Sequence, residues 1–244
     1  MKKILIFFLL FFHMSISYGH AGSVVCLHGF FRSSKCMIPL ANTLRDEGLQ
    51  VYLWGYPSRK KTIEQHADNL VEILQAIARA HPGKPIHFVS HSMGGIIVRA
   101  AVNHPNCPTE AKMGKGILLA PPNRGAALAR HFQGCPIARG ILGSKSGTQL
   151  LTFSECEMTD LGEFPPSMEV MVVAGKKGSR YTKFFVKEPN DGKVTVEETR
   201  LNSPHFHKTL HVSHHWIMTS RESISLTKDF LLHHTTQKTT HNSF

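Results

Sequence analysis

Six short runs recur along the chain with longer amphipathic stretches between them: "SVVCL" (23–27), "QVYLW" (50–54), "IHFVS" (86–90), "KGILLA" (115–120), "MEVMVVAG" (168–175) and "KTLHV" (208–212). Most are apolar throughout instead of alternating, the pattern of strands buried on both faces. Such strands lie parallel and need a helix to cross from one to the next, so the succession predicts an α/β domain with a mostly parallel sheet covered on both faces. The clearest crossover helix carries Ile63, Ala67, Leu70, Leu74 and Ile77 at steps of four and three. It starts at Thr62-Ile63-Glu64-Gln65, the spacing of a capping box. A second helix is predicted from Met93 to about Asn103, ending before Pro105, and a last one from about Ser220 to Leu232.

At 244 residues the chain can enclose one sizeable core, and no repeat or linker divides it. Residues 122–167 carry Pro, Gly and only short periodic pieces, and form the one region able to fold over a site.

Both ends read differently from the rest. Lys2 and Lys3 precede an apolar run, Ile4 to Phe12, and Gly19-His20-Ala21 puts small residues where a signal peptidase reads. Residues 1–21 are therefore expected to be a signal peptide cleaved after Ala21, with Gly19 as the other candidate. An uncleaved anchor is the alternative, although the run falls short of the ~20 residues a span needs. Export to a periplasm, envelope or medium follows, with residues 22–232 as the folded domain and 233–244 as a polar, frayed tail.

Five cysteines (Cys26, Cys36, Cys107, Cys135, Cys156) in an oxidising compartment allow one or two disulfides and leave a thiol over. Cys26 falls inside a buried strand and reads as a small hydrophobe. The net charge is +11, or +9 without Lys2 and Lys3, spread thinly over "SRKK", "AGKKGSR" and "KFFVK". It suits either plain solubility or a peripheral contact with an anionic membrane or envelope surface. With no basic helix or aromatic-interleaved stripe, nucleic acid is not expected as a partner.

The chemistry concentrates at "HFVSHSMGGIIVR", residues 87–99, where a strand ending at Ser90 and a helix starting at Met93 leave His91-Ser92 to make a tight reversal. Such a corner projects a serine hydroxyl from the carboxyl edge of a sheet, and it needs small residues two before and two after, here Ser90 and Gly94. Ser92 is the candidate nucleophile. An attacking serine needs N–H donors for the oxyanion. The N–H of Met93 is one; the second is expected from Phe30, after His28-Gly29 at the end of the first strand, with Phe31 as fallback.

The acid and base follow in chain order, each in a loop after a late strand. Among Glu188, Asp191, Glu197 and Glu198, Asp191 is chosen because Asn190-Asp191-Gly192 is a tight turn able to present a short carboxylate, while the glutamates suit a solvated face. After "KTLHV" the next loop opens with Ser213-His214-His215, and His214 is the candidate base. On this reading His211 lies within the strand, His205 and His207 precede it, and His215 starts the next helix. A metal cluster of His205, His207 and His211 lacks a supporting carboxylate or cysteine, so no metal or cofactor is expected.

With "LHGF", "SHSMGG", "LAPPNRGAALA", "NDGKVTVEETRL" and "HVSHHWIM" the chain resembles the α/β-hydrolase superfamily. It is most similar to the small bacterial lipase- and esterase-like members of the GPI inositol-deacylase and triacylglycerol-lipase type. The last two segments look like the family's acid-bearing and histidine-bearing segments, which independently favours Asp191 and His214. The resemblance implies an α/β-hydrolase fold with a minimal cap over roughly residues 23–232, and a serine esterase or lipase acting on an ester or lipid substrate through an acyl-enzyme. Phe30, Phe31 and residues 122–167 would supply an apolar acyl wall. Ser90 in place of the usual glycine and His215-Trp216 after the histidine depart from the pattern. An acyltransferase or amidase with the same three residues, and a non-catalytic envelope-binding protein, are the other readings.

Overall fold

Strand β1 (Ser23–Leu27) occupies an inner position of a six-stranded sheet, with β2 (Gln50–Trp54) on one side and β3 (Ile86–His91) on the other. Beyond β3 follow β4 (Lys115–Leu119), β5 (Glu169–Gly175) and β6 (Phe206–Leu210), giving the order β2-β1-β3-β4-β5-β6 with every pair parallel. The computed structural model describes residues 22–131, 142–152, 155–179 and 182–233, and these strands are counted among them. The expected signal segment, residues 234–244 and Cys135 lie outside the described residues.

Strand alternation divides the core in two. Val25, Leu27 and Phe88 face one layer, packed under α2 (Ile63–Ala80) and α3 (Met93–Asn103); Val24, Cys26 and Val89 face the other, under α1 (Ile38–Asp46) and α9 (Arg221–Leu232). Short helices α4 (Thr109–Lys112), α5 (Ala127–His131), α6 (Ser146–Thr152), α7 (Glu155–Asp160) and α8 (Thr182–Phe185) fill the intervening connections. The capping box of α2 is made in full: the Gln65 N–H donates to Thr62 Oγ1 at 3.2 Å and the Thr62 N–H to Gln65 Oε1 at 3.1 Å. Leu70 and Leu74 are fully buried on its inner face, each contributing roughly 1.5–3 kcal/mol by burial.

Three expectations need correction. β2 and β6 are edge strands, with β2 half-buried along its length and the middle of β6 exposed, so burial on both faces holds for the inner strands only. β6 also begins two residues earlier than the apolar pattern suggests, because Phe206–Leu210 is the stretch that pairs with Met171–Gly175. His207 therefore lies within the strand and His211 follows it. Finally, His215 does not start a helix: residues 214–219 form turns closed by bonds such as Trp216 N–H to Ser213 C=O at 3.0 Å. α9 begins only at Arg221, after the Ser220 hydroxyl has capped the Ser223 N–H.

The direction of winding reverses at β1. From β1 the chain moves outward to β2, then returns across β1 to β3 and continues the other way. The loops leaving β1 and β3 thus part at the carboxyl edge of the sheet, and a crevice opens there. No described helix is long and apolar enough to cross a membrane.

Candidate active site

Ser92 sits between β3 and α3 with φ 53° and ψ −124°, a left-handed conformation that is strained for a residue bearing a side chain. The strain is held by packing on both sides. The Ser92 N–H donates to the Leu119 carbonyl at the end of β4 at 2.8 Å, and a Cβ on Gly94 would come within 2.9 Å of the His28 carbonyl oxygen. Gly94 is thus required by close approach. At the other flanking position Ser90 is fully buried without a clash, its hydroxyl donating to the Ile117 carbonyl at 3.4 Å.

The loops after β5 and β6 bring the other candidates to this corner. His214 Nε2 lies 3.0 Å from Ser92 Oγ, and His214 Nδ1 lies 2.7 Å from Asp191 Oδ2. The remaining oxygen of Asp191 accepts the N–H groups of Lys193 and Val194, at 2.9 Å each, and its own carbonyl accepts the His214 N–H at 2.9 Å. A carboxylate so bonded, at 2 % exposure, is fixed in position and acts only as an acceptor. An Asp191 that accepts at Oδ2 leaves the hydrogen on His214 Nδ1, which frees Nε2 to accept from the serine.

The glutamates lie elsewhere: Glu197 pairs with Arg124 and Arg200, while Glu198 accepts the Thr195 N–H at 2.9 Å. Glu198 is buried, against the expectation of a solvated face. His207 bonds Thr199 Oγ1 at 2.9 Å, and no group able to hold a metal ion occurs among the described residues.

Met93 follows the serine directly, and Phe30 lines the same cavity. Met93 N–H is the first of α3 and so has no intrahelical acceptor, and Phe30 N–H has no acceptor among the described residues. Phe31 is excluded as a substitute donor, because its N–H already donates to Ser58 Oγ at 3.2 Å. The turn at Gly29 is braced from below. The Tyr56 hydroxyl donates to the His28 carbonyl at 2.5 Å, and the Tyr56 ring stacks on His28 with centroids 4.2 Å apart. Burial, partly offset by bonds to Gly29 and Tyr56, lowers the His28 pKa, so this ring is a neutral brace.

A cavity of about 380 Å³ opens over Ser92 and His214. Much of the lining is apolar, from Phe30, Pro122, Leu128, Leu142 and Leu150, so described residues on both flanks of the 122–150 stretch lie against the site. Arg32, Lys193 and His215 also line it. Phe31 is half-exposed and takes no part in the lining, contrary to expectation.

A family model described as Hydrolase_4, serine aminopeptidase S33, matches residues 19–144, just over half of the chain. The chain belongs to that family. This α/β-hydrolase is similar in fold to the mature lipase BlEst2 of Bacillus licheniformis, with a TM-score of 0.69 at 22% identity over 87% of this chain and 93% of that one. The lin2722 product of Listeria innocua matches at 0.65 and 14% identity, over 89% and 96% of the two chains. A metagenomic carboxyl esterase, MGS0156, matches at 0.63 and 17% identity, over 86% and 71%. No curated protein matches in sequence.

Two supports of the hydrolase site went unread in the sequence. The sequence marks His91 only as part of the turn, although alternation along β3 places it on the same face as Val89, toward the His214 loop. Arg99 reads as the polar face of a helix. It is instead 2 % exposed and donates to the carbonyls of Gly162 (2.6 Å), Asn123 (3.2 Å) and Met158, tying both ends of the excursion between β4 and β5 to α3. Nothing local to Arg99 announces this, since its acceptors are 24 or more residues away.

Proposed function

We propose that the protein is a serine hydrolase of carboxylic esters, with Ser92 as nucleophile, His214 as base and Asp191 as the acid that orients it. The observation that carries this reading is the unbroken chain from Ser92 Oγ through the His214 ring to Asp191, at 3.0 and 2.7 Å, facing a largely apolar cavity. His214 Nε2 takes the hydroxyl proton as Oγ attacks the ester carbonyl, and Phe30 and Met93 N–H groups receive the oxyanion. The imidazolium, stabilised by Asp191, gives that proton to the departing alcohol. Water, deprotonated by the same Nε2, then attacks the acyl-enzyme and releases the acid and the free serine. The apolar wall suits short- to medium-chain acyl groups, consistent with the lipase and esterase among its fold neighbours.

An amidase reading draws on the aminopeptidase in the family's description. A free substrate ammonium would need an anionic partner, and the described lining offers Arg32, Lys193 and His215 instead, which favours esters. The N-terminal segment supports export of the mature enzyme.

Fluorophosphonate labelling of wild type beside Ser92→Ala, with nitrophenyl esters of increasing chain length and an aminoacyl nitroanilide in parallel, tests the assignment. Labelling and ester turnover lost together in the variant support it, and a folded wild type that does not label overturns it. Preferential cleavage of the nitroanilide would replace esterase by amidase.

A further inference from the structure

The cavity lining combines two chemistries, apolar side chains and a basic group. Phe30 and, from the segment after β4, Leu128, Leu142 and Leu150 are apolar, whereas Arg32, Lys193 and His215, from the loops after β1, β5 and β6, are basic. Arg32 donates through Nη2 to His215 Nδ1, so these loops meet at the rim. Among the described residues neither Arg32 nor Lys193 has an ion-pair partner. Asp191, the carboxylate closest in sequence to Lys193, is fully buried and bonded to His214 and two N–H groups.

The charges are close enough to act on one another. Desolvation first, then Arg32, lowers the Lys193 pKa, with Asp191 opposing. Desolvation, then Arg32, Lys193 and His214, lowers that of His215. Like charges held together without an anion are a standing cost, and an anionic ligand relieves it.

The geometry points to a substrate-recognition subsite in which Arg32 and Lys193 bind a phosphate or carboxylate on the alcohol portion of the ester. The side follows from the mechanism, so this inference rests on the hydrolase reading. His214 protonates the departing alcohol, and His215, which adjoins His214 in the chain, bonds Arg32, while Phe30, Leu142 and Leu150 offer apolar surface for the acyl chain. Arg supplies a planar fork for two oxygens and Lys a point charge.

The test uses monomeric hexanoyl esters of one small alcohol series: ethylene glycol (neutral), glycol monophosphate, glycolate and choline (cationic), each followed by hexanoate release. Wild type is expected to favour the two anionic esters over the glycol ester by about tenfold or more in kcat/KM, mostly through KM, and to disfavour the choline ester. The more strongly favoured of glycol monophosphate and glycolate identifies the anion. Arg32→Gln and Lys193→Gln should each pull the anionic-to-neutral ratio toward one, while Lys84→Gln, exposed ahead of β3 at the opposite edge of the sheet, leaves the wild-type ratio in place. A wild-type ratio of one or less, or ratios unmoved in both variants, overturns the subsite. Fluorophosphonate labelling separates the two failures: a labelled enzyme with a flat ratio, or with no turnover of any of these esters, sinks the subsite alone, and absence of labelling sinks the hydrolase with it.

Discussion

The Nε2–H of His91 donates to the backbone carbonyl of His214 at 2.9 Å, and the two rings lie with centroids 4.8 Å apart. The residue before the elbow serine therefore carries the loop that supplies the proposed base. Burial first, and then the facing charges of His214, Arg32 and Lys193, keep the His91 pKa well below the usual histidine range. The ring stays neutral, with its hydrogen on the nitrogen that donates.

His91 is accordingly a positioning residue. His91→Leu removes the donor while keeping an apolar side chain, and kcat for a nitrophenyl ester should fall about tenfold or more with KM little changed. His91→Gln restores an N–H and should recover part of the loss. A Leu variant with full kcat would remove the role.

Asp191→Asn keeps an oxygen for the Lys193 and Val194 N–H groups, so the fold should survive. The amide presents no acceptor charge to His214 Nδ1, and the imidazole is left in the wrong tautomer. A loss in kcat of roughly ten-thousandfold is expected, with an unchanged circular dichroism spectrum. A loss under tenfold would point to another acid.

The two flanking positions of the elbow should respond in opposite ways. Ser90→Gly removes only a 3.4 Å hydrogen bond and should leave ester turnover within about threefold of wild type, at a stability cost of about 1 kcal/mol. Gly94→Ala drives a methyl to 2.9 Å from the His28 carbonyl oxygen and 3.0 Å from Leu27 Cβ, pushing α3 away from β1. Labelling of Ser92 should slow by at least about tenfold. Equal behaviour of the two variants would show that close approach does not set the elbow.

Much of this architecture was legible because it is local. Apolar runs located β1 to β5, the 3.6-residue period located α2, and the corner at Ser92 follows from a strand and a helix that nearly meet. Chain order and loop position single out Asp191 and His214 as candidates, and the structure brings their side chains together with Ser92. β6 lies two residues ahead of its expected position because "FHKTL" is half-exposed, so its bounds come from pairing with β5 and not from hydropathy. The basic rim was illegible for a related reason. Arg32, Lys193 and His215 are over 20 residues apart in sequence and read singly as surface charge, and only the convergence of three loops brings them together.

Arg99 bears most directly on the excursion. Arg99→Met leaves the Gly162, Asn123 and Met158 carbonyls without their donor, and a loss of roughly 3 kcal/mol or more is expected in urea unfolding. Because those carbonyls belong to the excursion that walls the cavity, hydrolysis of longer-chain esters should fall more than that of acetate. A variant as stable as wild type would show that the excursion is held by its apolar contacts alone.

His66 gives the last prediction, through acid stability. It is fully buried on α2 with Tyr56 edge-on at 4.8 Å, and among the described residues neither ring nitrogen has a hydrogen-bond partner. Burial, then Lys61 and His28, pushes its pKa down to about 4. The unfolded chain takes up this proton near 6.5, the folded one only near 4, so the unfolded state holds more protons between these values. Stability is therefore full above about pH 6.5 and is lost as the pH falls toward 4. His66→Leu removes that proton from the balance. Urea unfolding across pH 4 to 8 should show a shallower slope for the variant and, at pH 5, a stability higher than wild type by about 2 kcal/mol relative to any difference at pH 8. Parallel curves would mean that His66 is protonated in the folded state, or that His28 and His91, whose pKa values are also lowered, carry the acid sensitivity by themselves.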